Sequence, residues 1–251
     1  MLAIPQRHAT SRDQRKRFLS VTAIFLAALP LQAAPITGKV ELRDSREASV
    51  RKKFDYSGVV VSLTPVKPVS PLTEVHVTML QKNKMFSPHV LAIAAGTYVD
   101  FPNDDPIFHN AFSSYNGQLF DLGLYAPGST KSVRFSRDGI VRVFCNIHSS
   151  MSAVIVVLPT PYFATTRRDG TFQIPNVPPG EYQLTVFHER ATEATLNALA
   201  RRVVVEQSSL SLPPIVISEA GFLQMPHNNK YGRVYGPETD DHSIYPAARK
   251  E

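Results

Sequence analysis

The chain has 251 residues, 43% of them hydrophobic and 19% charged, and its formal net charge is +6. This is the composition of an ordinary globular protein, long enough for one large domain or two small ones. Residues 1–33 hold five basic residues and one acidic residue, so the rest of the chain carries a net charge of only +2. The basic balance of the whole chain is therefore no argument for nucleic-acid binding.

The N-terminal segment predicts export. A basic stretch over residues 12–17 precedes the apolar run Phe18–Leu29, and Leu31-Gln32-Ala33 offers a cleavage site. These features are typical of a secretory signal peptide over residues 1–33. The apolar run is short for a membrane span. We therefore expect a periplasmic protein that does not span the membrane after cleavage, with an uncleaved anchor as the alternative.

Short strand-like runs, separated by turn residues, follow the leader. Gly96, Pro127-Gly128 and Asp138-Gly139 are examples of the turns between them. Many short strands at this spacing predict an all-β sandwich. The predicted strands are Ile36–Leu42, Gly58–Leu63, Val75–Met79, Val90–Ala94, Tyr98–Phe101, Ser132–Phe135, Val141–Phe144 and Ala153–Leu158.

A second β region begins near Thr160. Asp169-Gly170 marks a hairpin turn between two of its strands, and Ala191–Arg202 predicts a short helix. The predicted strands are Tyr162–Thr166, Thr171–Ile174, Glu181–Phe187, Arg202–Glu206 and Pro214–Ser218. Residues 219–251 are polar without periodicity, and we expect a tail that has no core of its own. We expect His227 and His242, which lie in it, to be solvated.

The most informative residue is Cys145, because it is the only cysteine of the chain. His148 and Met151 follow it at +3 and +6, and His109 lies upstream. One thiolate, two imidazoles and one thioether are the ligand set of a type 1 (blue) copper site. Exported proteins usually pair their cysteines, and a copper–thiolate bond would remove the hazard of an unpaired thiol. The pattern predicts a copper centre of these four residues.

Each of these residues has a simpler interpretation when taken alone. A single His or Met is usually a surface or core residue, and a buried Cys is usually an inert hydrophobe. Zinc accepts Cys and His, but four-coordinate zinc sites prefer a further Cys, His or carboxylate to Met. A binuclear copper site would need a second cysteine. The combination favours mononuclear copper.

Two groups of residues carry a family resemblance. The first comprises Gln81–Val90, Gly96, Tyr98–Phe101, Asn103 and His109-Asn110, and the second comprises Cys145, His148 and Met151. Together they make residues 74–158 resemble a cupredoxin of the plastocyanin–amicyanin type. The resemblance implies a Greek-key sandwich with copper at one end, and a role for Asn110 in hydrogen bonds that tie the ligand segments together. It also implies that His148 reaches the surface as the electron port, within an apolar docking patch of Pro106, Phe108 and Ile147.

A second resemblance concerns the flanking segments. Asp169–Phe172 and Ile174–Tyr182 resemble the carboxypeptidase regulatory-like (prealbumin-like) β-sandwich, whose opening strands are like Ile36–Val40 and Gly58–Leu63. We therefore expect a discontinuous accessory sandwich of residues 36–66 and 159–218 with the cupredoxin inserted in it. A tandem arrangement is the alternative. The whole chain is also similar to exported proteins described as methylamine-utilisation-like, which is an analogy at the level of fold.

Three functions are compatible with these patterns. The leading hypothesis is a one-electron carrier between a redox protein donor and acceptor, and the second is a copper storage or delivery module. The third is a structural β protein without metal. We expect no enzyme activity, because the chain lacks a paired-carboxylate signature, a phosphate-binding loop and a nucleophile elbow.

Overall fold

The computed structural model describes residues 34–67, 75–114, 117–206, 209–223 and 226–236. The predicted signal peptide and His242 lie outside these residues. The described part of the chain is nearly all β, as the sequence predicts, and its elements fall into two sandwiches. Among the described residues, no helix is long and apolar enough to cross a membrane.

The strands and helices are as follows, in chain order. The first half contains β1 (Ala34–Arg43), α1 (Ala48–Lys53), β2 (Val60–Pro65), β3 (His76–Thr78), β4 (Leu80–Lys82), β5 (Met85–Ser87), β6 (Val90–Ala94), β7 (Tyr98–Pro102), β8 (Phe112–Ser113) and β9 (Phe120–Asp121). The second half contains β10 (Thr130–Arg134), β11 (Gly139–Phe144), β12 (Ser152–Leu158), β13 (Phe163–Thr165), β14 (Thr171–Val177), β15 (Gly180–Phe187), α2 (Glu193–Leu199), β16 (Arg201–Val205), β17 (Leu210–Ser211) and β18 (Ile215–Ser218).

The first sandwich takes its strands from both sides of the segment that carries the cysteine. One sheet is ordered β14-β1-β17, with β18 also paired to β1, and the other is ordered β13-β2-β15-β16. Along most of β15, buried side chains alternate with partly exposed ones, because only one face of the strand is buried. Ser62 of β2 pairs with Phe163 of β13. The intervening chain therefore leaves and re-enters this sandwich at neighbouring positions.

The second sandwich is built from that intervening chain. Its sheets are ordered β10-β7-β3 and β6-β12-β11-β8-β9, with the hairpin β4-β5 at one edge. The fully buried side chains Phe101, Phe135, Val141 and Ile155 lie between the sheets, together with Cys145 and Met151. Because β11 and β12 pair antiparallel from Gly139↔Val157 to Phe144↔Ser152, the loop between them is fixed at both ends.

The two sandwiches share an apolar interface. Strand β12 is buried at every position after Ser152, because alternate side chains face different partners. Ala153, Ile155 and Val157 belong to the core of the second sandwich. Val154, Val156 and Leu158 face the other way and cluster with Val60 of the first sandwich. The continuous hydrophobic run of β12 is thus explained by burial on both faces.

Two local predictions differ from the structure. The predicted helix Ala191–Arg202 is shorter, because Thr192 caps its N-terminus by accepting a hydrogen bond from the Thr195 N–H and Arg201 already begins β16. The hairpin β4-β5 has no predicted counterpart. Its turn residues Asn83 and Lys84 both have a φ of 55°, so this tight turn forms without the glycine that usually signals one.

Candidate metal centre

The cysteine lies on a short loop that connects two buried strands. Cys145 directly follows β11 and Met151 directly precedes β12. The Cys145 N–H donates to the Met151 carbonyl at 3.2 Å, and the Met151 N–H donates to the His148 carbonyl at 3.1 Å. The loop therefore closes on its own backbone, and it carries three of the predicted ligands, Cys145, His148 and Met151.

His109 approaches this loop from a separate segment. It forms an isolated β-bridge with Tyr125, in which the His109 N–H donates at 3.2 Å and the Tyr125 N–H donates at 2.9 Å. Both residues are buried. The bridge fixes the backbone of His109 although no regular strand passes through it, so the imidazole is held in place beside the cysteine loop.

Three of the predicted ligands come together in the interior. The Cys145 Sγ atom lies 3.9 Å from His109 Nδ1 and 3.6 Å from His148 Nδ1, and the three ligand atoms all lie within 4.8 Å of one another. A thiol sulfur and two imidazole nitrogens this close together are donors that a soft metal ion accepts, so the chemistry of the donor set fits a metal ion.

All four predicted ligands are removed from solvent. His109, Cys145 and Met151 are 0% exposed and His148 is 4% exposed. Met151 belongs to the same apolar cluster as Cys145, as a thioether at the base of the loop. The imidazole rings of His109 and His148 meet edge to face with their centroids 4.9 Å apart.

Asp105 determines which nitrogen of His109 faces the cysteine. The Nε2 atom of His109 lies 2.7 Å from the Asp105 carboxylate. An ionised carboxylate only accepts hydrogen bonds, so Nε2 carries the proton and Nδ1 keeps its lone pair. That lone pair points towards the Cys145 sulfur. A carboxylate behind an imidazole is a common arrangement at metal centres, where it fixes the ring and raises its basicity.

The same carboxylate holds the β4-β5 turn. Its two oxygens accept from the N–H groups of Asn83 at 2.6 Å and Lys84 at 2.9 Å. Burial on its own would raise the pKa of Asp105, but the hydrogen bonds from Lys84, His109 and Asn83 outweigh it and keep the pKa below its usual value. Asp105 thus stays ionised and links the hairpin to His109 of the candidate metal site.

Asn110, which directly follows His109, contacts the cysteine through its backbone and not through its side chain. Its backbone N–H is one of the groups that hydrogen-bond to the Cys145 sulfur. Its side-chain amide donates instead to Asp121 Oδ1 at 2.8 Å. The Asn110 side chain therefore anchors the segment to β9, and the link to the cysteine comes from the main chain.

Burial and backbone hydrogen bonds act in opposite directions on the pKa of the Cys145 thiol. Burial raises the pKa of the thiol, while backbone N–H groups of Ile147, Asn110 and His148 oppose the shift. A thiol of raised pKa is unreactive towards solvent oxidants. The same three backbone N–H groups would stabilise the thiolate form of Cys145 if it held a metal ion.

The predicted docking residues surround the site without forming a fully exposed patch. Pro106 is exposed, whereas Phe108 and Ile147 are half-buried. Ile147 packs against the core of the second sandwich. His148 was expected to reach the surface as the electron port, but it is buried, with 4% of its surface exposed.

Residues 226–236, which we call the C-terminal segment, lie against the cysteine loop. The Tyr235 hydroxyl donates to the Cys145 carbonyl at 2.8 Å, and the Lys230 N–H donates to Asn146 Oδ1 at 3.0 Å. The ring of His227 stacks on Phe144 with centroids 4.0 Å apart. The expectation that His227 is solvated was therefore wrong, because its ring is covered on one face by Phe144.

Sequence reasoning missed Asp105 and Tyr235. Asp105 lies in Asn103-Asp104-Asp105, which has the composition of a turn, yet its spacing of four residues from His109 was a signal that could have been used. Tyr235 stands in a polar stretch and is brought to Cys145 only by the tertiary fold. No local pattern marks it.

Comparisons with known proteins bear on parts of the chain. Residues 160–209 match the family model "Polysaccharide lyase family 4, domain II". No curated protein matches the chain. Nothing found bears on the methylamine-utilisation analogy.

Several solved structures are similar to a part of the chain. A copper-containing nitrite reductase from Thermus scotoductus is 26% identical over 37% of this chain and 25% of its own, with a TM-score of 0.33. A purple cupredoxin from Nitrosopumilus maritimus is 24% identical over 34% and 99%, with a TM-score of 0.31. An amicyanin variant in its reduced state is 14% identical over 39% and 98%, with a TM-score of 0.32. The chain thus spans about a quarter of the length of the nitrite reductase.

Proposed function

We propose that the chain would bind one copper ion through His109, Cys145 and His148, with the thioether of Met151 as a weaker fourth ligand, and that it carries single electrons. The observation that supports this most directly is the buried thiol that faces two imidazole Nδ1 atoms at 3.9 and 3.6 Å. Thiolate and thioether donors select Cu(I), and imidazole suits both Cu(I) and Cu(II). When bound, copper would supply the one-electron couple.

The residues around the centre would keep its geometry constant when the charge of the metal changes. Asp105 orients the His109 ring, the Asn110 N–H supports the sulfur, and the β-bridge of His109 with Tyr125 fixes the backbone. Such a rigid shell is what a site needs if it is to exchange electrons with little rearrangement. The apolar interior excludes water from the ligand atoms.

The proposal extends to the partners and the location. A redox protein donor and a redox protein acceptor would dock briefly near Pro106, Phe108 and Ile147, since electron-transfer encounters use small interfaces. We propose that the protein acts in the periplasm and catalyses no bond formation. The first sandwich would serve as a scaffold behind β12.

Visible absorption spectroscopy tests the copper site. Addition of Cu(II) to the mature protein should give an intense blue thiolate-to-copper band that a reductant bleaches. Cys145→Ser should abolish the band, whereas His76→Gln, which changes a half-exposed imidazole outside the site, should leave it unchanged. Copper binding without this band, or a band that persists in Cys145→Ser, would refute the proposed ligand set.

A further inference from the structure

The C-terminal segment contacts three consecutive residues around the metal-binding sulfur. His227 stacks on Phe144, Tyr235 donates to the Cys145 carbonyl, and Lys230 donates from its backbone to the side chain of Asn146. The ring planes of His227 and Phe144 lie within 19° of each other. The segment therefore covers the place where β11 ends and the ligand loop begins.

The C-terminal segment is also linked by hydrogen bonds to the part of the chain that carries His109. The ammonium group of Lys230 lies 2.8 Å from Asp121 Oδ2. The second oxygen of that carboxylate accepts from the Asn110 side chain at 2.8 Å, and Asn110 directly follows His109. Lys230 is thus linked to both segments that carry proposed ligands. Its backbone contacts the cysteine loop at Asn146, and its side chain is linked through Asp121 to Asn110, next to His109.

Polar contacts, more than apolar burial, hold the segment in place. Tyr231 is 69% exposed and Val234 is 84% exposed, and the described segment contains no regular helix or strand. Regions with few buried apolar contacts open at a small free-energy cost, without global unfolding. The segment can therefore detach from the loop while both sandwiches remain folded.

From these contacts we infer that residues 226–236 form a clamp that positions Cys145 and retards metal release, with Tyr235 and Lys230 as its positioning residues. This inference rests on the proposed function for its metal-related part. When the clamp is closed, the Cys145 carbonyl and the Asn146 side chain are both fixed from outside the loop. When it opens, the loop loses these restraints and copper can leave. The clamp would thus decide whether the site retains its metal or gives it up.

The test compares two residues of the same segment in the full mature chain. Tyr235→Phe removes the hydroxyl that donates to Cys145, and Val234→Ala is the control because Val234 is 84% exposed. The rate of copper loss from the reduced protein to a Cu(I) chelator is measured for both. Loss of one hydrogen bond should accelerate release by roughly fivefold in Tyr235→Phe, with no change in the control. Asn146→Ala, which removes the acceptor of the Lys230 N–H, should act in the same direction.

A measurement without metal separates this inference from the proposed function. Amide hydrogen exchange of residues 145–151 in the metal-free protein should be faster in Tyr235→Phe and Asn146→Ala than in wild type and Val234→Ala. Equal exchange and equal copper release in all four proteins would overturn the clamp. If wild type shows no thiolate-to-copper band but exchange is still faster in the two variants, the clamp stands and the copper proposal fails.

Discussion

Replacement of Asp105 by Ala should damage stability and metal affinity together. The carboxylate accepts three hydrogen bonds, two from the N–H groups of Asn83 and Lys84 and one from the buried His109 ring. Water can replace the acceptor at the hairpin turn, which limits the cost to about 1 kcal/mol for each of those donors. The His109 N–H would stay buried without an acceptor, which costs about 2 kcal/mol more. We therefore expect a loss of about 4 kcal/mol in the free energy of unfolding.

The affinity for copper should show the effect of Asp105→Ala independently of the stability measurement. Removal of a carboxylate that supports a ligating imidazole typically weakens metal binding by about 10- to 100-fold. Chemical denaturation of the metal-free protein gives the first quantity, and competition with a Cu(II) chelator gives the second. Because hydrogen bonds keep the pKa of Asp105 below 3.8, its contribution to stability is present above that pH and is lost as the pH falls through the lowered pKa.

A neighbouring residue supplies the control. Asp104 is exposed, and its closest cation is the Lys82 ammonium at 3.9 Å, a surface contact of at most about 1 kcal/mol. Asp104→Ala should leave both stability and copper affinity nearly unchanged. The argument for Asp105 fails if the two alanine variants behave alike in both assays.

Two further predictions concern the first sandwich. Burial would raise the pKa of Glu219, but hydrogen bonds from His188, Arg190 and Ser45 lower it from 4.5 to about 2. Glu219→Gln should therefore lower the free energy of unfolding by about 3 kcal/mol at pH 7. In chemical denaturation at a series of pH values, the difference in stability from wild type should shrink as the pH falls from about 5 to about 2. A difference that is independent of pH would contradict this. A Cβ at Gly170 would lie 2.1 Å from a backbone carbonyl oxygen of β1 at a φ of +80°, so Gly170→Ala should cost about 3 kcal/mol or more. Gly128→Ala, at a φ of +72° but with open space around it, should cost only about 1 kcal/mol, and equal melting temperatures for the two variants would refute the steric argument.

The regular strands could be predicted because their patterns are local. Val141–Phe144 and Ala153–Leu158 are apolar runs bounded by turn residues, and the structure contains β11 and β12 at these places. The proximity of Cys145, His148 and Met151 follows from the loop between them. No local pattern places His109 beside the loop, because its contact with Cys145 is made through tertiary structure. It was predicted only as the second imidazole of the ligand set.

The remaining features depend on contacts that no local pattern encodes. The β4-β5 strands have three residues each, too few to show periodicity. Asp105 accepts hydrogen bonds from Asn83 and Lys84, which are distant in sequence and become its neighbours only in the fold. The C-terminal segment has neither periodicity nor a core, and its place is set by a few hydrogen bonds to the cysteine loop.

The strand pairing of β1 imposes an order on folding during synthesis. Lys39 pairs with Thr171 and Leu42 pairs with Ile217, so β1 leaves the ribosome long before its partners. The strands β3 to β12 pair only among themselves, and their contacts span shorter loops, which close at a smaller entropic cost. We therefore expect the sandwich that contains Cys145 to form first, while β1 remains unpaired. Pulse-labelled amide exchange during refolding should show protection of Val143 and Ile155 before Val40, and simultaneous protection would argue that the two sandwiches fold as one unit.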